Sequence, residues 1–349
     1  MKMLTEMKAL VRQVTYPIVS IFFLLGLFYI STSLTLILLP AYFVLKPVNN
    51  ALFIRMGNIL LNNFLALVVH VIDLWCEVKL EIHGKLPSAE DGTSILIPNH
   101  LSHDWPIICA LAYHRSSLGN LKIVLKDIAK YIPGYGWSIW LMSWPFVSRN
   151  WKKDEARLKA IFKAYALQTE KTILCVFCEG TRMTSKSLQL SQEFAASNPE
   201  YPTLEYCLVP RPRGFIAAVR AFSEVSSGCI PVYNITLIYD GFEVRNPSIA
   251  SILFEYPRTK RSVKVLSSRE EIRDATSLSD SDMKSWLFER FCEKDHVLRQ
   301  HYTTKLFRQE KRHNISSPSL SVSTLMPHLL FCLIGSGIVT FGLSHVLSH

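Results

Sequence analysis

A polar run that could perform acid–base chemistry follows an apolar segment in the first third of the chain. Residues 94–98 are predicted to form a buried strand, and they lead into Asn99 and His100, with Asp104 four residues after the histidine. Residues four apart share one face of a helical turn, so the imidazole of His100 and the carboxylate of Asp104 can meet. In such a pair the carboxylate fixes the tautomer, and the other ring nitrogen removes a proton from an alcohol.

Two other interpretations of this run stay open. Asp104 could serve only as the N-cap of a helix that begins at Trp105-Pro106, which would leave His100 as an ordinary turn residue. His103 is a second candidate for the base.

Two further segments carry charges suited to an anion. Residues 177–182, Phe-Cys-Glu-Gly-Thr-Arg, follow another predicted buried strand. Glycine lets a ligand approach the backbone, and arginine binds phosphate through two parallel hydrogen bonds. The second segment is basic and precedes a predicted helix; its cations are Arg149, Lys152 and Lys153. Taken singly, the first segment is also compatible with an ordinary glycine turn, and the second with a solvated basic face.

In this order and at these spacings, the motifs resemble those of the glycerolipid acyltransferase superfamily, in particular the 1-acyl-sn-glycerol-3-phosphate (lysophosphatidic acid) acyltransferases. The resemblance covers roughly residues 70–270. Four blocks match: Asn99-His100 with Asp104, Phe146 with Arg149, residues 177–182, and residues 230–233. The run 209–215 also resembles the eukaryotic branch of these enzymes. His100 fits the first block better than His103, after which no aspartate follows at the family's spacing. One departure is that three residues separate His100 from Asp104, where the family has four.

The resemblance implies an α/β fold, with a central, mostly parallel, buried sheet flanked by helices. It also implies that His100, held by Asp104, deprotonates the sn-2 hydroxyl of lysophosphatidic acid, which then attacks the thioester of acyl-CoA to give phosphatidic acid. Acyl-CoA is a co-substrate, and no metal or other cofactor is implied. The expected substrate-binding residues are Arg149, Glu179, Gly180, Thr181, Arg182, Phe146 and Lys126, with Lys130 a weaker candidate. Alternatives are an acyltransferase for another lysophospholipid, such as lysocardiolipin or lysophosphatidylinositol, and a non-catalytic lipid-binding protein of the same fold.

The elements that would position these residues alternate between strands and helices, as in an α/β domain with a buried sheet. Predicted strands cover residues 78–83, 94–98, 122–125, 173–177, 230–238 and 263–266. Predicted helices cover residues 105–113, 152–168 and 214–225.

Apolar segments lie outside this domain. Residues 13–45 contain no charged side chain over 33 positions, beyond the ~20 that a membrane-spanning helix needs, so such a helix must tilt, extend beyond the bilayer or fold back near 31–33 or Pro40. Residues 56–74 fit a helix packed on the first or lying in the interface, and residues 325–347 could span. The predicted division is 1–76 for N-terminal membrane helices, 77–313 for the acyltransferase domain, and 314–349 for a linker and C-terminal transmembrane helix. We expect an integral membrane protein of the endoplasmic reticulum, in contact with membrane lipids.

Composition agrees with a basic, membrane-attached protein. Hydrophobic residues make up 49% of the 349 positions, and the formal net charge is +10. This composition excludes disordered and fibrous classes. The eight scattered cysteines do not form a disulfide framework, and the Cys175–Cys178 pair is too bare to indicate zinc. The charge is distributed and no nucleic-acid-binding motif is present, so we expect no nucleic acid partner.

Overall fold

The computed structural model describes residues 2–102, 104–225, 229–240, 249–255, 261–304, 315–316 and 322–347. Strands are β1 (Val78–Gly84), β2 (Ser94–Pro98), β3 (Leu121–Ile123), β4 (Leu125–Lys126), β5 (Phe146–Val147), β6 (Ile173–Cys175), β7 (Ile230–Asp240), β8 (Arg261–Ile272) and β9 (Ile315–Ser316). Helices are α1 (Lys2–Val48), α2 (Asn50–His70), α3 (Trp105–Tyr113), α4 (Tyr135–Leu141), α5 (Trp151–Leu167), α6 (Ser185–Ser197), α7 (Pro212–Ser223), α8 (Ile249–Phe254), α9 (Asp280–Thr304) and α10 (Val322–Leu347).

A mostly parallel sheet forms the centre of the molecule, which confirms the predicted fold class. Its strand order is β3-β6-β2-β7-β8-β1-β9. Strands β3, β6, β2 and β7 run parallel to one another, as do β8 and β1, whereas β7 pairs antiparallel with β8. All five residues of β2 are buried, as expected of a strand covered on both faces.

Helices cover both faces of this sheet. Helices α1, α2 and α3 share one apolar cluster with alternate residues of the strands, while α5, α7 and α9 share the other. The prediction missed α4, α6, α8 and α9, and it joined residues 122–125 into one strand, where the structure has β3 and β4. Strand β4 leaves the main sheet because it pairs with β5.

The first apolar segment forms one continuous helix rather than folding back. Helix α1 has 47 residues, so it is about 70 Å long, more than twice the thickness of a hydrocarbon core. The hydroxyls of Ser31 and Thr35 bond to carbonyl oxygens one turn earlier, which lets polar residues sit inside the helix. The chain reverses at Asn49, whose side chain caps α2 by accepting from the Leu52 N–H at 2.9 Å.

Helix α2 packs on α1, and its polar side chains bond to neighbouring elements. Asn58 accepts from the buried ammonium of Lys122 in β3 at 2.9 Å. Asn63 lies 2.8 Å from a ring nitrogen of His328 in α10. By length and composition, residues 13–48 and 50–73 are both apolar enough to cross a membrane.

The third predicted anchor lies within α10. The apolar stretch found there within the described residues, Ser323–Gly337, is shorter than a membrane span. The C-terminal transmembrane helix and the three domain boundaries therefore stay predictions. Most of the predicted linker before α10 lies outside the described residues.

Candidate active site

The polar motifs meet at one edge of the sheet. Strands β2 and β6 are parallel neighbours, so the segments that follow them emerge from the same edge, where α/β proteins bind ligands. The backbone N–H of His100 donates to Oε1 of Glu179 at 2.7 Å, and the His100 carbonyl accepts from the Met183 N–H at 2.8 Å. The first and third motifs are thus joined through the backbone of the histidine.

His100 and Asp104 form a hydrogen-bonded pair despite their shortened spacing. Nδ1 of His100 lies 2.8 Å from Oδ2 of Asp104, whose side chain is fully buried, while the imidazole is 19% exposed. The Tyr239 hydroxyl donates to Oδ1 of Asp104 at 2.6 Å, and the Ser102 N–H donates to the same carboxylate. The side chain of Asp104 makes no capping bond to α3, so it faces the histidine rather than the helix end.

Asn99 anchors this loop to the neighbouring strand. Its side-chain amide donates to the carbonyl of Leu237 at 3.1 Å and accepts from the N–H of the same residue at 2.7 Å. The amide thereby continues the β2–β7 pairing one step beyond the end of β2. His103, the other candidate base, lies outside the described residues.

Glu179 faces the protein interior rather than a ligand, which differs from the substrate contact that the resemblance implies. Its side chain is buried, and its second oxygen accepts from the Leu208 N–H at 2.9 Å, so both oxygens bond to backbone amides. Burial raises the pKa of Glu179 to about 8, and these two N–H bonds oppose the shift. The geometry gives Glu179 the task of fixing the backbone of His100.

Three arginines, Arg149, Arg182 and Arg211, form a positively charged cluster by their mutual electrostatic effect, and the residue after Arg182, Met183, bonds to the backbone of His100. Partial burial lowers the pKa of Arg149, and the positive charges of Arg211 and Arg182 lower it further. All three side chains are exposed. Arg211 packs over Gly180, whose φ of +68° lies in the left-handed region; a Cβ added there would lie 3.2 Å from Cδ of Arg211.

The other predicted site residues are distributed between surface and core. Thr181 is partly exposed beside the arginines, whereas Phe146 is only 3% exposed and packs in the core. Lys126 is exposed, and its strand pairs with β5, two residues before Arg149. Lys130 is bound to a carboxylate oxygen of Asp127 at 2.8 Å, so its charge is already balanced.

The arrangement combines a base with an anion-binding surface. An imidazole held through Nδ1 by a buried carboxylate can take a proton at Nε2, and clustered arginines can bind a phosphate. The geometry therefore suits the deprotonation of an alcohol on a phosphate-bearing substrate.

Sequence reasoning assigned no role to three residues that the structure brings to the site. Tyr239 is six residues beyond the fourth motif, at the end of the strand that pairs with β2. Arg211 lies in the run 209–215, and Asn99 directly precedes His100 in the first motif. The parallel pairing of β2 with β7 links Asn99 and Tyr239, whereas Arg211 is tied by its N–H to the Cys178 carbonyl after β6; both links become visible only in the fold.

Comparison with known proteins gives concordant results. Residues 79–236 match the family described as Acyltransferase, and residues 258–327 match the family described as Acyltransferase C-terminus. The chain is 27% identical over 328 residues to 1-acyl-sn-glycerol-3-phosphate acyltransferase 2 of Brassica oleracea, covering 91% of this chain and 80% of that protein. It is 27% identical over 278 residues to 1-acyl-sn-glycerol-3-phosphate acyltransferase epsilon of Mus musculus, covering 76% and 73%. The crystal structure of the 1-acyl-sn-glycerophosphate acyltransferase PlsC from Thermotoga maritima aligns at 15% identity with a TM-score of 0.42, covering 78% of this chain and 95% of that one.

Proposed function

Because the chain is an enzyme that carries an acyltransferase domain and resembles the 1-acyl-sn-glycerol-3-phosphate acyltransferases, we propose that it transfers an acyl group from acyl-CoA to the sn-2 hydroxyl of lysophosphatidic acid. The product is phosphatidic acid. The observation that carries this proposal is the 2.8 Å contact between His100 and buried Asp104, set beside three arginines.

The proposed reaction is a direct transfer with His100 as general base. Asp104 holds the proton on Nδ1, so Nε2 takes the proton from the acceptor hydroxyl as its oxygen attacks the thioester carbonyl. The new ester bond forms, the carbon–sulfur bond breaks, and the imidazolium returns its proton to the CoA thiolate. The contact between the two side chains supports a catalytic role for the pair over the non-catalytic alternative, despite the shortened spacing.

The phosphate of the acceptor is assigned to the arginine cluster. Arg149, Arg182 and Arg211 repel one another when no anion is present, so a bound phosphate dianion relieves that repulsion as well as gaining hydrogen bonds. Thr181 and Lys126 lie close enough in sequence and strand pairing to contribute to the same surface. Gly180 serves this surface by letting the backbone turn beneath Arg211.

The apolar helices agree with acyl-bearing substrates. Two long apolar helices favour attachment to a membrane, where both substrates are found. Membrane lipids as partners and the endoplasmic reticulum as location stay predictions of the resemblance.

The test is acyl transfer by membranes that contain the protein. We expect CoA release from acyl-CoA to depend on lysophosphatidic acid, to disappear in His100→Ala at unchanged protein level, and to persist in the matched variant His103→Ala. Full activity of His100→Ala would refute the assigned base, and loss of activity only in His103→Ala would transfer the role to that residue.

A further inference from the structure

Four successive backbone N–H groups, those of residues 205–208, all donate to two buried carboxylates. Oδ1 of Asp295 in α9 accepts the first three within 2.9 Å, and Glu179 accepts the fourth at the same distance. Asp295 is 4% exposed. Bonds from backbone amides to a carboxylate are charge-assisted and stronger than neutral ones, so Asp295 holds residues 205–207 firmly, and the bond to Glu179 holds the next residue, Leu208.

The carboxylate stands on a helix that otherwise buries an apolar stripe. Met283, Leu287, Phe291 and Leu298 recur at helical spacing and are at most 1% exposed. Lys294 falls within this stripe and is also 1% exposed; its ammonium donates to the Ile235 carbonyl at 3.0 Å and to Asn234. A buried Lys294-Asp295 pair in an apolar stripe is costly unless both groups are bonded, and here both are.

Lys294 and Asp295 are linked to Asn99 and Glu179, the two residues that flank or bond to the backbone of His100. Lys294 holds β7 two residues before Leu237, which bonds to Asn99. Asp295 holds the loop whose next N–H bonds to Glu179, and Glu179 bonds to the N–H of His100.

The same loop delivers a guanidinium to the anion surface. Three residues after Leu208 the chain reaches Arg211, whose N–H donates to the Cys178 carbonyl at 2.7 Å and whose side chain covers Gly180. The position of this guanidinium beside Arg149 therefore depends on a loop that α9 fixes.

We propose that Asp295 is a positioning residue for acceptor binding: by holding residues 205–207 it sets the place of Arg211, and so of the acceptor phosphate. This inference rests on the proposed function, because it assumes that Arg211 meets a phosphate. Helix α9, which lies in the segment 258–327, would then help to position the acceptor-binding residues of the active site.

The test measures two Michaelis constants in the wild-type protein and five variants. We expect Asp295→Ala to raise the KM for lysophosphatidic acid about tenfold while the KM for acyl-CoA stays within twofold. Asp295→Asn keeps an acceptor oxygen without the charge, so it should raise the same KM about threefold. Arg211→Ala should match Asp295→Ala, and the double variant should add little to either, because both act on one contact. Glu293→Ala, on the same helix with a half-exposed side chain, is the matched control and should change neither constant.

Loss of active protein with both KM values unchanged in Asp295→Ala and Asp295→Asn would overturn the proposal, since that is what a purely structural role predicts. An equal rise in both constants would overturn it as well. Hydrogen exchange supplies a readout independent of turnover: amides of residues 205–207 should exchange at least tenfold faster in Asp295→Asn, with α5 unchanged, and unaltered exchange there would contradict the proposal. A wild-type protein inactive toward lysophosphatidic acid would instead refute the proposed function.

Discussion

Replacing Asp104 by asparagine should nearly abolish catalysis while preserving the fold. The carboxylate accepts from His100 on one oxygen and from Tyr239 on the other, with the Ser102 N–H shared between them. The amide orientation that keeps both the Tyr239 and Ser102 bonds points its NH2 group at Nδ1 of His100. The ring must then carry its proton on Nε2, where a general base needs a lone pair.

The size of the effect follows from two contributions. The tautomer with its proton on Nδ1, which the base requires, becomes less favourable by about one hydrogen bond, roughly 1–1.5 kcal/mol. The reason is that the amide orientation that allows this tautomer must give up the bond from Tyr239. Loss of the charge beside the imidazolium removes about 4 kcal/mol at a charge separation of about 4 Å and an effective dielectric constant near 20. The kcat of Asp104→Asn should therefore fall by about 10³–10⁴-fold.

The assay is CoA release by equal amounts of protein. The matched control is an aspartate whose tyrosine partner lies on β7, the strand that also carries Tyr239. Asp91 accepts from the hydroxyl of Tyr233 at the opposite end of β7, so Asp91→Asn alters a similar tyrosine–aspartate pair away from His100. We expect its kcat to stay within twofold of wild type. An Asp104→Asn protein with more than a tenth of wild-type kcat would show that the shortened spacing has left the orienting role to another group.

Three further outcomes are expected. Burial raises the pKa of Glu179 from its ordinary value near 4.5 to about 8, so the folded state keeps this proton to a higher pH than the unfolded state does. The free energy of unfolding should therefore fall as pH rises from 4.5 to 8. Glu179→Gln should flatten the fall in melting temperature measured between pH 5 and 8, and an unchanged slope would contradict this assignment. Arg182→Ala should raise the KM for lysophosphatidic acid at least fivefold with a smaller effect on acyl-CoA, and the opposite pattern would reject head-group binding there. Gly180→Ala should destabilise the protein by about 1 kcal/mol and weaken acceptor binding, because the side chain is strained at φ +68° and presses on Arg211; unaltered melting and KM values would refute that reasoning.

The sheet was predictable because its strands are local patterns. Residues 94–98 are apolar throughout, and an apolar run bounded by polar residues indicates a buried strand whatever it pairs with. Helix α9 was missed because buried Lys294 and Asp295 interrupt its apolar stripe, and the bonds that make them tolerable come from β7 and the 205–207 loop. Burial of charge is decided by tertiary partners, which no local pattern contains.

The candidate site divides in the same way. His100, Asp104, Arg149 and Arg182 could be proposed from residue type and spacing, because their chemistry is carried by short motifs. Glu179 belongs to such a motif, yet its two backbone partners come from distant segments, so its inward orientation could not be anticipated. Tyr239 contributes through a side-chain hydrogen bond to Asp104, a residue 135 positions away in sequence.

The central claim concerns the acceptor, and one measurement addresses it directly. Purified wild-type protein is given one acyl-CoA and a panel of lysophospholipids that differ only in head group, and CoA release is measured for each. We expect lysophosphatidic acid, whose terminal phosphate carries the largest negative charge for the three arginines to bind, to be used with the highest kcat/KM. Higher kcat/KM for lysophosphatidylinositol or lysocardiolipin, whose phosphates are diesters, would contradict the account.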